Sequence, residues 1–346
     1  MYIDGAFTGS VSGKTRALVD PGTEAVLAEL PYGDAADAKL ALDAAAKALP
    51  AWSAKTAYER AAVLEKAAEL IAARAAEYAA RTAEESGKPL AQARGEWAGA
   101  PNYLRVAAEQ ARSLGGRAIP SRLGSRRIDV THQPVGVVGV ITAWNFPIYN
   151  PNRAVSSALA AGCTAVLRPS EYTPRSAFDY ARAFADAGLP AGVLNVVHGD
   201  PAAMGQAMLD DPRCRKLAFT GSTRVGKLLM DGASRTVKRL SLELGGNAPV
   251  IVMPDVDVVS VAKSGVTAKL RNAGQVCIAP QRFYVHASVV GAFVEAAKAA
   301  MEREVLGHAL EGKTTLGPLI NAAQRERVAR IVEASVAAGA RLVTGG

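Results

Sequence analysis

Between Val135 and Thr220 the chain alternates short apolar runs with helix-patterned stretches, and this pattern limits its fold more than any other feature. Val135–Ala143 reads as a continuous apolar strand, Asn150–Ala161 as a helix, Thr164–Leu167 as a strand and Pro174–Ala187 as a helix. Val193–His198 and Leu217–Thr220 read as further strands with a helix between them. A strand that is apolar on both faces needs cover on both, and strands separated by helices are joined by crossovers. The expected fold class is therefore α/β, with a parallel sheet between helices.

The chain before this region has its own signals. Tyr2–Gly5 and Val19–Gly22 read as strand ends with turns. Ala35–Leu49 is helical by composition and is expected to end before Pro50. A capping box, Thr56 with Glu59, starts a long helix whose stripe is Leu64, Ala68 and Ile71; Gly87 and Pro89 stop it. A further helix is expected from about Leu90 to Ser113, ended by Gly115–Gly116. Arg117–Val135, alternating around Gly124–Ser125, predicts a β-hairpin projecting from the body.

Composition excludes several function classes. At 346 residues, two domains are expected. No run of eighteen uncharged apolar residues predicts a membrane span, and the N-terminus has no signal-peptide pattern. Cys163, Cys214 and Cys277 form neither a disulfide framework nor a zinc pattern, which fits a reducing cytoplasm. His132, His198, His286 and His308 are scattered, so no metal site is expected. The net charge is +8, but basic and acidic residues alternate along the helices, which points away from nucleic acid. Anionic small molecules are the simpler partners, and a solvated basic surface needs none.

Chemistry concentrates at Arg271–Arg282, around Cys277. Ala273, Gly274 and Pro280 leave little bulk near the thiol, and a partly open thiol of lowered pKa is a strong nucleophile. A free cysteine is more commonly a small buried hydrophobe. Thirty-four residues earlier Glu243 stands in an apolar stretch, Leu-Glu-Leu-Gly-Gly. Cys163 and Cys214 fall at element edges and read as packing residues. Phe219–Lys227 lies where a strand meets a helix, with Gly221 for the turn and Gly226 for close approach. Such a helix N-terminus suits a phosphate, but an ordinary strand-to-helix turn looks the same, and this is not the Gly-x-Gly-x-x-Gly fingerprint.

Four segments together resemble the aldehyde dehydrogenase superfamily: Ala143–Pro147, Arg168–Pro174, Phe219–Lys227, and Leu242–Gly246 followed by Gly274–Cys277. Within it the likeness is to NAD(P)-dependent succinate-semialdehyde dehydrogenases. The resemblance runs from Tyr2 to Gly346. It implies a Rossmann-like parallel-sheet NAD-binding domain over residues 1–115 and 135–246. It also implies an oligomerisation hairpin at 116–134, joining copies into a homo-oligomer, and an incomplete α/β catalytic domain at 247–346.

The same resemblance assigns roles. Cys277 matches the nucleophile, Asn145 a donor to the oxyanion and Glu243 the base that activates water. Apolar surroundings are expected to raise the Glu243 pKa. Members that pass the acyl group to coenzyme A lack this glutamate, so the implied product is a free acid. Trp144, Arg168, Ser170, Glu171, Gly221, Ser222, Gly226, Leu244 and Gly245 match cofactor positions. Glu171 favours NAD over NADP by repelling a 2′-phosphate. Arg168 stands where the family usually has lysine; the swap leaves two outcomes, a ribose contact or admission of NADP. Arg153 and Arg271 match the pair that holds a substrate's distal carboxylate, or else pair with local Asp or Glu.

The match ends at Leu342–Gly346, before the family's Glu-x-Phe-Gly-Pro block that holds the nicotinamide ribose. On that ground the chain as written is expected to bind NAD weakly, turn over slowly and assemble irregularly. The competing readings are an inactive remnant that binds only nucleotide or a partner, and a cysteine hydrolase using Cys277 and Glu243 without cofactor.

Overall fold

The computed structural model describes residues 1–345, and the chain divides into two compact units. The first holds Met1–Ala17, Glu29–Tyr78 and Gly95–Glu243; the second holds Leu18–Ala28, Ala79–Arg94 and the chain from Leu244 onward.

Strands β1 (Tyr2–Ile3) and β2 (Ala6–Phe7) turn at Asp4 and Gly5, both of positive φ. Strand β3 (Thr15–Val19) pairs with β4 (Val26–Pro31). Helix α1 (Ala35–Ser53) opens at a capping box: Asp34 accepts from the Ala36 N–H, and Asp37 accepts from the Asp34 N–H. The expected stop before Pro50 is wrong, because the helix continues to Ser53. Pro50 lacks only its own N–H, its carbonyl still accepts from Ala54, and Trp52 beyond it is buried with its indole N–H on the Leu159 carbonyl at 3.2 Å. Burial of that indole holds the last turn in place.

Helix α2 (Ala57–Ser86) starts at the anticipated box: the Thr56 hydroxyl accepts from the Glu59 N–H at 3.2 Å, and the Glu59 carboxylate from the Thr56 N–H at 2.8 Å. Its stripe, Leu64, Ala68 and Ile71, is fully buried, and truncating a leucine so placed costs about 3 kcal/mol. Helix α3 (Leu90–Ser113) follows Pro89, and the hairpin is β5 (Arg117–Ile119) antiparallel to β6 (Ile128–Val130).

The alternating region then runs β7 (Val137–Ile141), α4 (Tyr149–Ala160), β8 (Thr164–Arg168), α5 (Pro174–Asp186), β9 (Leu194–Val196), α6 (Pro201–Asp210), β10 (Cys214–Thr220), α7 (Thr223–Ser234) and β11 (Arg239–Glu243). These strands form one sheet in the order β11-β10-β7-β8-β9, extended by β1 and β2. Pairs from β11 through β9 are parallel, and β1 joins β9 antiparallel. Every residue of β7, β8 and β9 is buried, as apolar runs on both faces require. Gly139 is needed in β7: a methyl there would lie 2.5 Å from Leu217 and 3.0 Å from the Met208 sulfur. Strands β8 and β9 lie on one side of β7, β10 and β11 on the other. The strand order therefore reverses at β7, and a parallel sheet binds ligands beyond the carboxyl ends of its strands at such a point.

His198, just past β9, is buried, with its Nδ1 on the Pro31 carbonyl at 2.8 Å. Burial lowers its pKa to about 4, and the Arg168 charge works in the same direction. The unfolded chain thus binds more protons between pH 6.5 and 4. His198 therefore removes up to about 3 kcal/mol of stability as pH falls through that window. Urea unfolding of His198→Phe between pH 7 and 4 is expected to show a flatter acid limb than the parent; equal slopes would contradict this.

In the second unit β12 (Ala248–Val252) pairs in parallel with β13 (Pro280–Val285), joined through α8 (Val258–Leu270). Helix α9 (Val290–Met301) packs Phe293 against Val252 and Ala262, and α10 (Ala322–Ala337) follows. Among the described residues no helix is long and apolar enough to cross a membrane, and no cluster of His, Cys, Asp or Glu is placed to hold a metal.

Candidate active site

The three thiols have distinct environments. Cys163 and Cys214 are buried and Cys277 is exposed. Burial pushes the Cys214 thiol up to about 11, so it stays protonated and inert. Cys277 lies in the turn between α8 and β13, in the second unit. A methyl on Gly246 would come 3.3 Å from its carbonyl oxygen, so the Gly245–Gly246 backbone passes close beside the cysteine.

The first unit places several of the other motif residues at the carboxyl ends of its parallel strands, while Leu244 and Gly245 begin the long last segment of the second. Beyond β7 come Trp144 and Asn145, beyond β8 Ser170 and Glu171, beyond β10 Gly221 and Ser222. Glu243 ends β11. The Asn145 side-chain oxygen accepts from the Asn150 amide at 3.1 Å, and Asn150 also donates to the Ala143 carbonyl. That arrangement fixes which end of the Asn145 amide is the oxygen. Helix α4 is tied down by Glu96, a buried carboxylate of α3 that accepts from the Ile148 and Tyr149 N–H groups at 3.0 and 3.2 Å. Glu96 escaped notice in the sequence; its one signal there is a carboxylate inside the apolar stripe Ala93, Trp97, Ala100.

Arg168 and Glu171 form a pair. The Arg168 side chain is 4% exposed, and its Nη2 donates to Glu171 at 2.9 Å and to the Gly199 carbonyl at 2.8 Å. Burial works to raise the Glu171 pKa, but the Arg168 charge, hydrogen bonds and the Arg16 charge outweigh it, so the carboxyl lies below its usual value. Arg168 thus faces inward onto Glu171. At α7 the Ser222 hydroxyl caps the helix by accepting from Val225, and Gly226 is buried in its first turn. A capped helix start beyond β10, with a charged glutamate beyond β8, fits the phosphates and ribose hydroxyls of a dinucleotide.

Glu243 departs from expectation. Its side chain is 60% exposed and lies 3.7 Å from the Arg153 guanidinium, itself 50% exposed. The apolar setting inferred from Leu-Glu-Leu is therefore absent. Along β11 the half-buried Leu240 and Leu242 alternate with exposed residues, and Glu243, at the strand's end, falls on the exposed side. Arg153 stands on α4 beside it, and Arg271 ends α8 in the second unit, exposed.

Known proteins resemble this chain along nearly all of its length. A model described as the aldehyde dehydrogenase family matches residues 7–346. A glutarate-semialdehyde dehydrogenase of Pseudomonas aeruginosa is 41% identical over all of this chain and 71% of its own length. A succinate-semialdehyde dehydrogenase [NADP(+)] of Escherichia coli is 39% identical over 99% of this chain and 71% of its own. Among solved structures, an NAD-dependent aldehyde dehydrogenase from Sinorhizobium meliloti superposes with a TM-score of 0.97 at 39% identity, covering 100% of this chain and 69% of that one.

Proposed function

This chain belongs to the aldehyde dehydrogenase family, and from that premise we propose that it oxidises a carboxylate-bearing semialdehyde, such as succinate semialdehyde, to the acid through Cys277. The observation that carries this reading is the exposure of one thiol, Cys277, while the other two are buried.

In the proposed reaction the Cys277 sulfur adds to the aldehyde carbon and gives a thiohemiacetal. By the family's pattern, the Asn145 side-chain amide and the Cys277 backbone N–H are the proposed donors to the oxyanion that develops. Trp144, Ser170, Glu171, Gly221, Ser222, Gly226, Leu244 and Gly245 would hold a nicotinamide dinucleotide, which when bound would supply the acceptor for the hydride lost from the thiohemiacetal carbon, leaving a thioester on Cys277. Glu243 then takes a proton from water as that water attacks the thioester, releasing the acid and returning the thiol.

Arg153 and Arg271 would hold the distal carboxylate. The Arg153–Glu243 pair is long and exposed, so a substrate carboxylate can share Arg153 at little cost. Glu171, held charged by Arg168, would accept from ribose hydroxyls and repel a 2′-phosphate, which favours NAD although the E. coli relative is named for NADP.

The test is absorbance of reduced cofactor with succinate or glutarate semialdehyde and either dinucleotide. Turnover is expected with NAD in preference to NADP, and Glu171→Ser is expected to shift the ratio of their kcat/KM values toward NADP by about tenfold or more. No reduction with either cofactor would overturn the reading, and an unmoved ratio would remove Glu171 from it.

A further inference from the structure

The backbone before Cys277 is held in an unusual form. Asn272 (φ 50°, ψ 40°), Ala273 (φ 55°, ψ 34°) and Gly274 (φ 76°) are all left-handed. Left-handed backbone is open to glycine, but an L side chain pays a steric cost for it, so two such residues in succession need outside support.

Two glutamines supply that support. Gln92, in the first turn of α3 and 180 residues away in sequence, accepts from the Asn272 N–H at 2.9 Å. The Asn272 carbonyl accepts from the Gln275 N–H at 3.1 Å and from its side-chain amide at 3.0 Å. The other end of the Gln275 amide accepts from the Ile320 N–H at 3.0 Å. All four residues lie in the second unit, and Asn272 is 3% exposed.

The turn delivers Cys277 exposed and its neighbour Ile278 72% exposed. A free loop would bury that isoleucine, since an apolar side chain of its size gains from leaving water. It would carry the adjacent cysteine inward as it did so. The left-handed turn opposes this collapse.

We infer that Gln92 is a positioning residue for Cys277: its side-chain oxygen holds the left-handed turn Asn272–Gly274, and the turn keeps the thiol presented to solvent. The role of Gln92 rests on the reading of Cys277 as nucleophile; the hold on the turn does not.

The test uses the full chain as Gln92→Ala, Gln92→Glu and the double variant Gln92→Ala with Ala273→Gly. Hydrogen exchange is followed in the peptide covering 271–279 and in the α2 stripe around Leu64 as reference. Alkylation of Cys277 by iodoacetamide is followed by mass, with buried Cys163 and Cys214 as internal references. Gln92→Ala is expected to raise exchange at 271–279 by roughly tenfold with the reference unchanged, and to slow Cys277 alkylation by about fivefold. Glutamate also accepts the Asn272 N–H, so Gln92→Glu is expected to match the parent. Glycine at 273 removes the steric cost of φ 55°, so the double variant is expected to recover most of both losses.

Exchange within about twofold of the parent in Gln92→Ala overturns the inference, as does raised exchange with unchanged alkylation. If Gln92→Ala loses protection throughout the chain, the other two variants decide. Parent-like values in both support the inference, and loss in either overturns it. Failure of the nucleophile reading is distinguishable, because it leaves the exchange pattern intact while no acyl group appears on Cys277.

Discussion

Replacing Cys277 with alanine is expected to lower aldehyde-dependent turnover by at least about three orders of magnitude, with dinucleotide affinity within about threefold of the parent. No other thiol is available to take over: Cys163 and Cys214 are buried, and Cys214 is held protonated by its surroundings. Without the sulfur no covalent intermediate forms, and the aldehyde has to be oxidised from its hydrate with no nucleophile held next to it. The residues that would hold the dinucleotide's adenosine and phosphates follow β8 and β10 and open α7, remote in sequence from the cysteine turn, so affinity is expected to be preserved. Reduced-cofactor absorbance gives the rate and calorimetry the affinity. Residual turnover above about a tenth of the parent would remove Cys277 from its role.

Glu243→Gln is expected to act on the second half of the reaction. An amide cannot take the proton from water, so thioester hydrolysis slows by about a hundredfold to ten-thousandfold while the first turnover proceeds. The signature is a burst: about one equivalent of reduced cofactor per site within the first turnover, then a slow steady rate. Loss of the ion pair to Arg153 is a separate matter. At 3.7 Å, with its members 60% and 50% exposed, it contributes under about 1 kcal/mol, so the variant should unfold as the parent does. An unchanged steady rate with no burst would mean that another group activates the water.

The parallel sheet was legible because short, mostly apolar runs alternate with helix-patterned stretches, and β7, β8 and β9 are buried throughout as double-sided cover requires. Thr56 with Glu59 and Gly87 with Pro89 were equally readable, since capping and stopping depend on local residues alone. Pro50 misled because the feature that prolongs α1, burial of the Trp52 indole, is a contact made 107 residues away. Glu243 misled for a related reason. An apolar neighbourhood in sequence says nothing about the side to which an alternating strand turns its glutamate. Gln92 leaves no signal in the sequence, and Glu96 only that of a carboxylate inside an apolar stripe. Each is an ordinary polar residue on a helix, and each acquires its task only from the distant backbone N–H it meets in the fold.

The central claim is that the aldehyde carbon becomes bonded to Cys277 and is released as an acid by water. The most direct measurement is to mix the Glu243→Gln chain with succinate semialdehyde and NAD, quench in acid during the slow phase, and locate the acyl group by peptide mass mapping. A succinyl thioester on the peptide that carries Cys277, absent when NAD is omitted, is the result this account predicts. Reduced cofactor formed with no acyl group on that peptide, or with the group on Cys163 or Cys214, would contradict it.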